Sequence, residues 1–142
     1  MRRIRALSVL GVLTMVGLGG GGGDAFAASA LQAKLSQQVA GGGVTVAATL
    51  LKDQGEDTAI KLALETHSVN LDGYRFEAIA DLRDDTGKTY PVVAVQQASG
   101  GGHHRGAILR FGKVAPNAKS IELIIKDVAG VKERTFRWSL TD

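Results

Sequence analysis

The chain contains no cysteine. That excludes disulfides, thiolate metal sites, thiol catalysis and a lipid anchor attached through cysteine. Aromatic residues are few: one Trp, two Tyr and four Phe in 142 residues. With so few rings to stack on bases, and no run of Lys and Arg, a nucleic-acid role is excluded. Proline occurs twice, at Pro91 and Pro116. The two methionines, Met1 and Met15, lie near the start, so no Met-rich metal loop exists. The sequence has no G-x-S-x-G elbow and no phosphate-binding P-loop. Residues 6–18 form the longest apolar run near the start, well short of the roughly 20 residues that span a bilayer.

What is present at the start reads as an export leader. Met1-Arg2-Arg3-Ile4-Arg5 is a basic opening, the apolar run follows, and Ala25-Phe26-Ala27 supplies a small-x-small cleavage site. The reading is a signal peptide over 1–27, a periplasmic or secreted protein, and no membrane anchor after cleavage. Arg5 occupies a place where a twin-arginine signal prefers an apolar residue, so the general secretory route is expected. Removing 27 residues leaves 115, with 14 Lys and Arg against 13 Asp and Glu. That is enough for one domain with its own core, and its net charge is close to zero.

Residues 28–43 are expected to form a short helix and a glycine linker. Leu31, Leu35 and Val39 recur at i, i+4 and i+8, a narrow helical stripe, and Gly41-Gly42-Gly43 follows as a hinge. From Val44 the period changes to two. Val44, Val46, Ala48 and Leu50 mark a first strand, and Ile60, Leu62 and Leu64 a second. Tyr74, Phe76, Ala78, Ala80 and Leu82 mark a third, with a fourth over 89–96. Ala107, Leu109 and Phe111 mark a fifth, and Ile121, Leu123 and Ile125 a sixth. Phe136, Trp138 and Leu140 point inward from a seventh. Asp72-Gly73, Asp84-Asp85-Thr86-Gly87 and Pro116-Asn117 punctuate them as turns. Seven short strands with one apolar face each predict an all-β, antiparallel β-sandwich over 44–142. Pro91 and Gln96-Gln97 make the fourth strand an edge guarded against pairing, which predicts a monomer.

Against this pattern one stretch stands out: Gly100-Gly101-Gly102-His103-His104-Arg105-Gly106. It holds two of the three histidines; the third is His67. Strand counting places the three together. If successive strands alternate in direction, the loop after the second strand and the loop before the fifth lie at one end, joined there by the turn at 127–130. Were the second strand also beside the fifth, His67 would approach His103 and His104.

The seven-strand pattern resembles the immunoglobulin-like β-sandwich modules common in exported bacterial proteins, here without their paired cysteines. Thr66-His67-Ser68-Val69 and Gly102-His103-His104-Arg105 are similar to stretches of uncharacterised exported bacterial proteins of that kind. The resemblance covers residues 44–140. It implies the fold and an exported location and carries no catalytic residues. A looser similarity is to small periplasmic copper-binding sandwiches.

Imidazole suits Cu, Zn and Ni, so the first reading is metal binding by His67, His103 and His104. Asp72 and Asp127 are further ligands, or orient an imidazole through its second nitrogen. The second reading is a non-catalytic structural or protein-interaction module, with an exported protein as partner and the histidines in the surface. The third uses Gly101 and Gly102 amides as an anion nest completed by Arg105. Asp81, Asp84 and Asp85 suggest calcium, but the hairpin turn accounts for them. No enzymatic activity is expected.

Overall fold

The computed structural model describes residues 35–51 and 57–141. The leader and residues 29–34 of the helix expected over 29–40 lie outside the described residues. The alternation of apolar side chains is realised as eight antiparallel strands. They are β1 (Ser36–Gly41), β2 (Val44–Leu51), β3 (Thr58–Thr66), β4 (Ala80–Asp84), β5 (Thr89–Gly101), β6 (His104–Phe111), β7 (Ser120–Val128) and β8 (Val131–Ser139). One short helix, α1 (Phe76–Ile79), precedes β4. The strand order is β1-β2-β3-β6-β5-β4-β7-β8.

This corrects the expected seven-stranded two-sheet sandwich. The added strand is β1, which replaces the helix and linker expected up to Gly43. It pairs with β2 from Ser36↔Thr49 to Gly41↔Val44. Spacing of i, i+4 fits a helix, but it also fits a strand, because four is twice two. Ladder bonds to β2 decide the matter. The two halves join through β5, which pairs with β4 near Tyr90 and with β6 further on. Register shifts after Val92 and after Gln96 bend it enough to serve both. Pro91 stands just before the first shift, and the strand expected at an edge on its account is instead central, paired on both sides.

The two ends of the strand order also meet, so the sheet nearly closes on itself. Here the joint is made by side chains. The Gln37 amide donates to Arg137 O at 2.6 Å and accepts from Arg137 N at 3.2 Å. Trp138 Nε1 donates to Leu35 O at 2.8 Å, and Arg134 Nη2 to Gly41 O at 2.6 Å. Among the described residues no backbone ladder links β1 to β8.

The enclosed core holds Leu62, Leu64, Phe76, Leu109, Leu123, Ile125, Phe136 and Trp138, all buried as their alternation requires. Two inward assignments fail. Leu140 lies beyond β8 and is 43% exposed. Ala78 is exposed because α1 breaks the period of two, burying Phe76 and Ile79 three residues apart instead. The hairpin β1–β2 carries no charged residue from Leu35 to Leu51.

At the end opposite the histidines, Asp84 is buried and accepts four hydrogen bonds. They come from Thr86 N and Oγ1, Lys88 N and the Tyr90 hydroxyl. Tyr90 in turn accepts from Ala115 N. The Thr86 hydroxyl, with the other donors, holds the Asp84 carboxyl below its ordinary pKa, while burial pushes the Tyr90 phenol up. Asp85 accepts from Lys119 N at 2.8 Å, and Asp81 pairs with Lys126. The three aspartates are therefore spent on the hairpin and its neighbours.

Candidate functional site at the histidine end

The strand count holds. The β1–β2 turn, the connection after β3, the β5–β6 turn and the β7–β8 turn all lie at one end. Thr66 N donates to His103 O at 3.0 Å, and Leu71 N to Gly102 O at 2.8 Å. Strands β3 and β6 are neighbours, with Glu65 opposite His104. His67 follows directly on Thr66, so all three histidines share this end.

The geometry places them without joining them. His67, His103 and His104 are all exposed. His103 sits in the two-residue turn between Gly101 and His104, where Gly102 has φ +62°, the pattern of a type II′ hairpin. His104 leads β6 with its side chain on the outer face, since its neighbours in the inward parity are Arg105, Ala107, Leu109 and Phe111. Among the described residues none of the three imidazoles makes a hydrogen bond, and no three His, Asp or Glu side chains stand close enough to hold one ion. Asp127 is exposed in β7, with φ +55°.

The other candidate residues are spent on structure. Asp72 Oδ1 accepts from Gly102 N at 2.7 Å, and a Cβ on Gly101 would lie 3.3 Å from the same oxygen. The anion that the glycine amides were expected to attract is thus the chain's own carboxylate. Arg105 points inward. It donates to the carbonyls of Leu71, at 2.8 Å, and Tyr74, and its guanidinium lies 4.8 Å from the centre of the Phe76 ring. Of the groups expected to form an anion site, Arg105 and Gly102 bind the 71–74 segment to the barrel wall.

Sequence reasoning missed three residues that build this end. Thr66 is buried; its hydroxyl donates to Gly43 O and accepts from Ser68 N and Val69 N. A Thr followed by Ser, Asn and Asp is a signal for such a turn. The Tyr74 hydroxyl accepts from Ala129 N at 2.9 Å, tying the loop to the β7–β8 turn. Arg134 is 2% exposed, although it reads as an ordinary surface charge. It donates to Val128 O and Gly41 O, its Nε has no partner, and burial lowers its pKa.

Beside His104 the outer face dips into a trough of about 210 Å³, lined by Ala63, Glu65, Ser99, Gly100, His104 and Gly106. It exists because Ala63, Gly106 and Ser99 lie side by side across three strands with little side chain between them. Comparison with protein-family models, curated proteins and solved structures finds no match for this chain.

Proposed function

We propose that this domain is an exported, non-catalytic interaction module that meets a partner protein with its histidine end. One observation carries the reading. The groups there capable of chemistry, Asp72 and Arg105, are tied to backbone, while the imidazoles and the trough beside His104 stay open on a hydrogen-bonded platform. Exposed polar loops held by a fixed scaffold are a common arrangement for recognition. The export part rests on the basic opening, the apolar run and the Ala25-Phe26-Ala27 site.

A photo-crosslinking residue placed at position 103, and another at position 113 at the opposite end, tests the proposal in producing cells. The expected result is one discrete adduct from position 103 and none from 113. Adducts from 113 alone refute it.

Three exposed imidazoles at one end favour a second reading, binding of Cu, Zn or Ni. Calorimetric titration of the cleaved domain with each ion separates the two. Saturable binding that His67→Ala and His104→Ala each weaken, and that is lost in acid because protonated imidazole cannot ligate, establishes the metal reading. Binding no tighter than that of an isolated surface histidine leaves the interaction module.

A further inference from the structure

We infer that β1 is a strap that lifts off β2 and β8 together while the other seven strands remain folded. On its β2 side β1 has a six-pair ladder. On its β8 side its hydrogen bonds among the described residues are those of the Gln37 amide, the Trp138 indole and the Arg134 guanidinium. No residue of β1 is fully buried, and Leu35 and Val39 pack against the core only in part. Lifting the strap therefore uncovers little apolar surface, the quantity that makes other strands costly to remove.

Arg134 biases the joint further. Among the described residues its cation is enclosed with no carboxylate partner, held by two carbonyls, with Nε unsatisfied. A buried charge of this kind weighs against the state that encloses it. Undocking β1 surrenders Gly41 O and lets water reach the guanidinium. The hinge is already in place: Gly42 and Gly43 have φ of +61° and +80° in the two-residue turn. The closed strap is thus held by one edge ladder to β2 and a few side-chain hydrogen bonds, against the hydration of one cation.

The single tryptophan reports on this joint, because Trp138 Nε1 bonds to Leu35 O. The test combines amide hydrogen exchange with acrylamide quenching of Trp138, in the intact domain and in Gln37→Ala and Arg134→Met. In the unsubstituted domain, β1 amides should exchange at least about 100-fold faster than those of β3 and β6. Gln37→Ala should raise Trp138 quenching several-fold, with little change in the main melting transition. Arg134→Met, which removes the charge and keeps the stem, should slow β1 exchange. If Arg134→Met fails to fold, the first two measurements still decide. Equal protection of β1, β3 and β6 overturns the inference, as does a Gln37→Ala protein that melts earlier with unchanged quenching.

Discussion

Replacing Arg105 by methionine separates a clamp from an anion site. Methionine keeps most of the aliphatic stem and deletes the fork. Two hydrogen bonds from a charged donor, to Leu71 O and Tyr74 O, are lost. Each is of a kind contributing about 1.5–3 kcal/mol. The contact with the Phe76 ring at 4.8 Å goes with them, a further contribution of about 0.5–2 kcal/mol. Arg105 is half-buried, and water recovers part of each loss at the freed carbonyls. The net destabilisation should be about 2–4 kcal/mol, after reducing the sum by roughly half for that hydration. With a urea dependence of about 2 kcal/mol per molar for a domain of this size, the midpoint should fall by about 1–2 M. Urea titration followed by far-ultraviolet circular dichroism measures it. Arg105→Lys should recover less than half, because both bonds come from Nη1 at the far end of the guanidinium, and the shorter, compact, strongly hydrated ammonium loses reach and the planar contact with the Phe76 ring. An unchanged midpoint in Arg105→Met refutes the clamp. So does stabilisation of the parent protein by phosphate or sulfate that disappears in the variant.

Trp138→Ala removes a nearly buried ring, stacked on Phe136 at 6.5 Å between centres. It should cost about 3–5 kcal/mol by denaturant unfolding. With no disulfide in reserve, that is a large part of a typical stability of about 5–15 kcal/mol. Asp84 is held below its ordinary pKa of 3.8, chiefly by the Thr86 hydroxyl. Its contribution is full above that value and fades as pH falls through the lower folded value. Melting temperature below roughly pH 4 should therefore depend less on pH in Asp84→Asn than in the parent. Gly42→Ala and Gly130→Ala both force alanine into positive φ, but only at Gly42 would the new Cβ meet Ala129 O, at 2.2 Å. Gly130→Ala should cost about 1–2 kcal/mol, and Gly42→Ala clearly more; equal losses would show that the two turns do not touch.

Much of the fold was legible because burial is periodic. Val44 to Leu50, Ile60 to Leu64 and Leu109 to Phe111 alternate in sequence and in space. The shared end of the histidines followed from direction alone, since an added strand before β2 leaves the later alternation untouched. What stayed hidden depends on partners far along the chain. Gln37 is polar and unremarkable until Arg137, 100 residues away, is placed beside it. Arg105 and Arg134 read as surface charges, because nothing local shows that carbonyls await them inside. Phe76 to Ile79 changes from period two to a helical turn over four residues, too short for the pattern to register. Asp72 reads as a candidate ligand in the sequence, but its partner, an amide 30 residues on, leaves no local sign.

The uncharged span from Leu35 to Leu51 has a consequence before any fold exists. It is rich in Val, Ala, Thr and Leu, the composition that seeds intermolecular β-pairing when a chain is still unfolded. Lys34 and Lys52 stand immediately on either side of it, where charges act as gatekeepers against such pairing. Within the span itself an unfolded copy carries no charge to keep two such stretches apart. Neutralising both lysines should scarcely move the melting temperature, yet lower the yield of refolded protein at high concentration. Selection on these two positions would then act through the nascent chain, and the finished domain would give no sign of it.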